Sequence, residues 1–147
     1  MKASAYIFVY GTLMNDLSSA MARFLRANAD FIGEAWIPGI LYDLGQYPGL
    51  IYNPDADSHV YGHLFQLKNP EKVFEILDHY EGINHAYPLE NEYRRALIKL
   101  NFQDTILNCW VYLYNLKTEG LKEIPGGNYL EYIKHQPAHL RFIKEGR

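Results

Sequence analysis

Two groups of residues in this chain have the types and spacing to do chemistry. The first is a glutamate that closes an amphipathic run. Between Glu71 and Glu81, the residues Val73, Phe74, Leu77 and Tyr80 form an apolar stripe at helical spacing. Glu81 lies four residues after Leu77 and seven after Phe74, so it continues that stripe, while Glu71, Glu75 and Asp78 fall on the polar side. A carboxylate on a buried stripe is desolvated, which raises its pKa and lets it exchange protons near neutral pH. The same residue also reads as a helix-end glutamate that reaches solvent or pairs with an arginine such as Arg95. The residues alone leave both readings open.

The second group is Tyr10-Gly11-Thr12-Leu13, which follows the β-forming run Tyr6-Ile7-Phe8-Val9. Gly11 lets the chain bend, or lets another group approach where a side chain would clash. A strand that ends in a small-residue turn before a helix exposes several backbone N–H groups at one point. Such a nest suits an anion, a carboxylate as readily as a phosphate. A plain strand-to-helix turn without a ligand is the competing reading.

Other reactive side chains are poorly arranged for chemistry. His59 and His63 have the four-residue spacing of a helical metal pair, but on a strand that spacing spans roughly 13 Å, too far for one ion. His135 and His139 straddle Pro137. Cys109, the sole cysteine, sits in an apolar strand with no base nominated beside it, so it reads as a small core residue. No metal and no cofactor is expected.

The elements that must position these residues follow from periodicity and punctuation. Asn15-Asp16-Leu17-Ser18-Ser19 offers N-cap residues for a helix from about Ser18 to Asn28, with Met21, Phe24, Leu25 and Asn28 at helical spacing. Phe31–Ile37 reads as a strand broken by Pro38-Gly39, and Ile40–Leu44 as another. Turn chemistry at Gly45–Gly49 precedes a strand at Leu50–Tyr52. His59–Leu67 is a strand whose Gly62 signals a bulge or a bend at a barrel corner. Asn69-Pro70 opens the helix that carries Glu81, and Gly82 is placed to stop it. Tyr93–Leu100 and Ile106–Asn115 form a hairpin around a turn at Asn101–Thr105, with Tyr93, Arg95, Leu97 and Lys99 on one face. Ile124–Asn128 is a flexible turn, Tyr129–Lys134 a short helix halted by Pro137, and the tail from Leu140 a short helix or a fraying end. One domain over residues 1–147 is expected, of α+β class, its sheet curling into a small barrel.

Composition narrows the partners. The formal charge of −3 comes without a basic block, since Arg94-Arg95 and the tail residues Arg141, Lys144 and Arg147 are too sparse for a nucleic-acid footprint. A lone cysteine fits a reducing compartment. The N-terminal apolar run is too short for a signal core, and no stretch approaches membrane-spanning length. The expectation is a soluble, cytoplasmic protein with neither nucleic acid nor membrane as partner; its oligomeric state is not legible. Thirteen tyrosines are many, and some can line a polar pocket within an apolar shell.

Taken in order, several stretches resemble the gamma-glutamyl cyclotransferase-like family. They are Tyr10-Gly11-Thr12-Leu13, Gly39–Gly45 with Tyr47-Pro48-Gly49, Val60–Phe65, Leu77-Asp78-His79-Tyr80-Glu81-Gly82, Tyr93-Arg94-Arg95, Trp110–Tyr114 and Gly127-Asn128-Tyr129. The resemblance covers nearly the whole chain. It implies a small mixed β-barrel flanked by helices, and cyclisation of a γ-glutamyl amide to 5-oxoproline with release of an amine. It makes Glu81 the acid/base and Tyr10, Gly11, Thr12 and Leu13 the holder of the γ-glutamyl end. A late-strand tyrosine, assigned as Tyr114, faces the same cavity. Met14-Asn15-Asp16-Leu17 and Asn128-Tyr129 depart from the family pattern, and substrates differ between members. A binding module for a small carboxylate metabolite on the same fold is the alternative of a different class.

Overall fold

The structure, a computed structural model, describes residues 4–14, 19–87 and 90–145. The proposed capping residues Asn15 to Ser18 lie outside them. Ser19 caps the first helix, α1 (Ala20–Ala27), by accepting from the Ala22 N–H at 3.1 Å.

Among the described residues the β-rich pattern gives seven strands: β1 (Tyr6–Val9), β2 (Ala29–Asp43), β3 (Pro48–Tyr52), β4 (His59–Leu67), β5 (Tyr93–Phe102), β6 (Thr105–Tyr114) and β7 (Lys122–Glu123). They hydrogen-bond in the order β3-β2-β4-β1-β6-β5, with β7 added to β2. All neighbours are antiparallel except β1 and β6. The sheet curls until β3 meets β6, where a Cβ on Gly49 would stand 3.0 Å from the Tyr114 Cβ. The result is a nearly closed mixed barrel of α+β class, flanked by α1, α2 (Pro70–Tyr80), α3 (Tyr129–Tyr132) and α4 (Pro137–Glu145). No helix among the described residues is long and apolar enough to cross a membrane.

β1 lies between β4 and β6, and Ile7, Phe8 and Val9 are all buried, as an unbroken apolar run requires. Gly62 serves this packing rather than a bulge. A Cβ there would meet the Val9 carbonyl oxygen at 2.4 Å, and β4 keeps its register with β2 through it. The irregularity sits in β2, between Phe31 and Gly33.

The expected break at Pro38-Gly39 is absent, because β2 changes partner there instead of ending. Residues up to Pro38 pair with β4 and those from Gly39 with β3. The backbone on both sides of the switch stays bonded: the Pro38 carbonyl accepts from the Asn53 N–H and the Gly39 N–H donates to the Ser58 carbonyl. The β5–β6 turn is also tighter than expected. Gln103 and Asp104 both adopt positive φ, 49° and 65°, which gives the two-residue connection that matches strand twist.

Local chemistry explains the helix boundaries. Asn69 precedes α2 but its φ of 114° departs from the extended geometry of a capping residue, and its side chain makes no cap bond. The Ile124–Asn128 turn holds a 3-10 turn at Pro125–Gly127, with Ile124 buried. Asn128 then caps α3 through the Leu130 and Glu131 amides. Pro137 opens α4 instead of merely ending the chain's order, in keeping with the preference of proline for a first helical turn.

Candidate active site

Glu81 is the C-cap of α2. Gly82, at φ 73°, turns the chain so that its N–H donates to the His79 carbonyl at 3.1 Å and the Ile83 N–H to Asp78 at 2.9 Å. This is a Schellman closure, and Gly82 is the residue that can adopt it without strain. Glu81 is therefore held at a fixed helix end, half-buried, not carried on a fraying turn.

The turn after β1 is closed by the Met14 N–H on the Gly11 carbonyl at 3.1 Å. Ser19 ties it to α1, donating its hydroxyl to the Thr12 carbonyl at 2.9 Å while capping the helix. Among the described residues the amides of Gly11, Thr12 and Leu13 meet no backbone or side-chain acceptor. They are donors without a bond, the property an anion site needs. Gly11 is required by close approach: a Cβ would lie 2.7 Å from the Pro48 ring.

These two features face one cavity. Its empty space, open mouth included, is about 430 Å³. Its walls carry Phe8, Val9, Tyr10–Leu13, Tyr47, Pro48, Tyr80, Glu81, Tyr93, Tyr112 and Phe142. Four expected binding residues and the expected carboxylate thus meet from distant parts of the chain.

Tyr114 does not join them. The late-strand tyrosine in the cavity wall is Tyr112, two residues earlier on the same strand face, whereas Tyr114 stacks edge-on against Tyr93 and directs its hydroxyl to Lys117. A period of two places both tyrosines on one face and says nothing about which lies deeper.

Three tyrosine hydroxyls of the wall are committed to the scaffold. Tyr10 donates to the Tyr112 carbonyl at 2.6 Å, Tyr93 to the Pro48 carbonyl at 2.6 Å, and Tyr112 to Asp78 at 2.7 Å. Burial, reinforced by the Glu81 charge, pushes the Tyr10 phenol well above its usual range. Tyr93 is raised by burial and then by Tyr10 and Glu81. In Tyr112 burial acts first, followed by the hydrogen bond and charge of Asp78 and then by Glu81. All three stay neutral, so none is a base.

Asp78 corrects the sequence reading. It is not on a solvated face but buried, paired to Arg95 at 2.9 and 3.2 Å, with that guanidinium 4.1 Å over Phe74 and 4.5 Å over Trp110. Arg95, the suggested partner for Glu81, is thereby engaged elsewhere. Cys109 is buried, and desolvation pushes its thiol up to about 12, which fits a core role.

Phe142 reaches the cavity from α4, an element with no chemical signal in the sequence. The seat of α4 is a buried polar cluster. His139 places Nε2 2.7 Å from the Asp43 carboxylate and Nδ1 2.7 Å from the Tyr129 hydroxyl, while Tyr132 donates to Asp43 at 2.6 Å. Burial alone would raise the Asp43 carboxyl. Hydrogen bonds from Tyr132, the Gly45 amide and His139 outweigh it and hold the group below its ordinary value. A carboxyl lowered by folding stabilises the native state above its unfolded pKa of roughly 4, and that contribution fades as pH falls through the lower folded value. Melting temperatures measured from pH 7 to pH 2 are expected to fall more steeply below pH 4 for the wild type than for Asp43→Asn. Parallel acid limbs would remove Asp43 from the account.

Comparison with known proteins fits this arrangement. Residues 7–131 match the family described as Gamma-glutamyl cyclotransferase, AIG2-like. The chain is 28% identical over 129 residues to the Gamma-glutamylcyclotransferase family protein YtfP of Escherichia coli K12, spanning 87% of this chain and 98% of that protein. The solution structure of E. coli ytfP matches with a TM-score of 0.57 over 86% of this chain and 96% of its own, at 28% identity. A mouse AIG2-like protein in crystal form matches with a TM-score of 0.59 at 21% identity, over 87% of this chain and 95% of its own, a likeness of fold alone. With barrel, turn and helix-end glutamate all inside the matched span, the chain belongs to the gamma-glutamyl cyclotransferase, AIG2-like family.

Proposed function

We propose that this chain is a γ-glutamyl cyclotransferase that converts a small γ-glutamyl amide to 5-oxoproline and a free amine. One observation carries the reading: Glu81 lines the same cavity as Gly11, Thr12 and Leu13, whose amides meet no acceptor among the described residues. The α-carboxylate of the substrate docks on those amides, which leaves the α-amino group and the γ-carbonyl to fold toward each other. The Glu81 carboxylate takes a proton from the α-ammonium, and the freed nitrogen attacks the γ-carbonyl carbon. A turn amide not used by the carboxylate stabilises the oxyanion of the tetrahedral intermediate. Glu81 then returns the proton to the departing nitrogen, the amide C–N bond breaks, and the second proton shed by the ring nitrogen leaves with the amine as its ammonium ion. Water is neither consumed nor formed. The attack is intramolecular, so holding the folded conformer supplies much of the acceleration.

The test is product identity. Incubation of γ-glutamyl amides with the protein in ¹⁸O-water is expected to give 5-oxoproline and amine in equal amounts, with no label in the 5-oxoproline. Labelled glutamate in its place would mean hydrolysis. Thermal stabilisation by these compounds without any turnover would instead assign a binding module.

A further inference from the structure

The family match ends at Glu131, ahead of α4, yet Phe142 of α4 lines the cavity that holds Glu81. We propose that α4 is the leaving-group wall of the site: Phe142, set against Tyr47, contacts the amine half of the substrate and favours γ-glutamyl amides whose amine carries a flat aromatic group. The proposal rests on the cyclotransferase reading and adds what selects among its substrates.

The burial gradient across the cavity gives the direction. Phe8 to Leu13, Pro48, Tyr93 and Tyr112 are buried and form its floor, while Tyr47, Tyr80, Glu81 and Phe142 are partly exposed and form its rim. The γ-glutamyl group is constant and must reach the turn amides on the floor. The amine is the variable part and leaves past Glu81 across the rim.

The rim is aromatic. The Phe142 and Tyr47 rings lie 5.2 Å apart at 48°, and the Tyr47 hydroxyl is fixed by Glu92 at 2.7 Å. Among the described lining residues there is no lysine, arginine or histidine to hold a second carboxylate. What remains is ring surface, which rewards a planar apolar group by offset or edge contact.

The wall is also rigid enough to select. His139, three residues before Phe142, is 1% exposed and bonded on both ring nitrogens, to Asp43 of β2 and Tyr129 of α3. Ile143, the next residue after Phe142, is buried. Phe142 is therefore presented by a helix anchored on both sides of it in sequence, not by a loose tail.

The experiment compares 5-oxoproline release from γ-glutamyl benzylamide and γ-glutamyl methylamide. In wild type the benzylamide is expected to have the higher kcat/KM. In Phe142→Ala the ratio of the two is expected to fall by about threefold to tenfold, the rate equivalent of one aromatic contact. Phe142→Leu, which keeps most of the volume but not the ring, should lower the ratio in the same direction and serves if the alanine variant folds poorly. A ratio that both variants leave unaltered overturns the proposal. If wild type releases 5-oxoproline from neither amide, the cyclotransferase reading fails, and the wall is judged by thermal shift. A larger shift with benzylamide that shrinks in the variants supports it; equal shifts with both amides, or none, overturn it.

Discussion

Glu81→Gln is expected to lower kcat by about 10²–10⁴-fold, the usual contribution of a positioned general acid/base. Glutamine matches glutamate in size and still hydrogen-bonds, but it cannot take a proton from the α-ammonium. The fold is expected to survive, because the Schellman closure around residue 81 is built from backbone groups of Leu77 to Ile83. One contribution to stability should rise. Glu81 places a negative charge at the C-terminal end of α2, the wrong end of the helix dipole, which costs about 0.3–1 kcal/mol. A variant that melts at or above the wild-type temperature while losing turnover separates chemistry from folding. Glu81→Asp should also be slow, since a displacement near 1 Å at a reacting group costs about 10²-fold. A Glu81→Gln protein with wild-type turnover would move the proton transfer to another group.

The limits of the sequence reading follow from the same physics. The stripe of Val73, Phe74, Leu77 and Tyr80 runs on to Glu81, which stands half-buried in the cavity wall, because helical period and burial coincide along one short element. The hairpin and the buried β1 were legible for the same reason. Asp78 was not. Its charge argued for solvent, and the partner that makes its burial tolerable, Arg95, is 17 residues away on another strand. Pro38-Gly39 looked like a break because proline and glycine are local signals, whereas the Asn53 and Ser58 groups that satisfy that backbone belong to a later loop. Tyr112 and Tyr114 share a strand face, so only the curl of the sheet decides which one lines the cavity. Phe142 gave no signal, since its position depends on a buried His139–Asp43 contact across 96 residues.

Asp78→Ala is expected to have the largest effect on stability among the substitutions considered. The Asp78 side chain is 10% exposed and binds Arg95 through both oxygens, while its Oδ1 also accepts from Tyr112. Removal leaves a guanidinium between Phe74 and Trp110 without its anion and a buried hydroxyl without its acceptor. The loss is expected near 3 kcal/mol, the low end for a broken buried pair. Arg95 is 24% exposed and keeps access to water, which argues against the upper end. For a chain of this size that corresponds to a fall of about 6–12 °C in Tm. Tyr112→Phe, which removes one hydrogen bond to the carboxylate but leaves the ion pair, should cost about 1.5 kcal/mol. The double variant Asp78→Ala/Arg95→Met is the informative comparison, because an apolar replacement of both partners avoids the orphaned charge and should recover part of the loss. Activity then reports something stability does not. Asp78 anchors α2 one turn before Glu81, and Tyr112 links that anchor to Tyr10 through its backbone carbonyl. If the double variant regains Tm but not turnover, the ion pair sets where Glu81 stands. Recovery of both would show that packing beneath the helix is enough, and a Tm for Asp78→Ala within 2 °C of wild type would deny the pair its stabilising role.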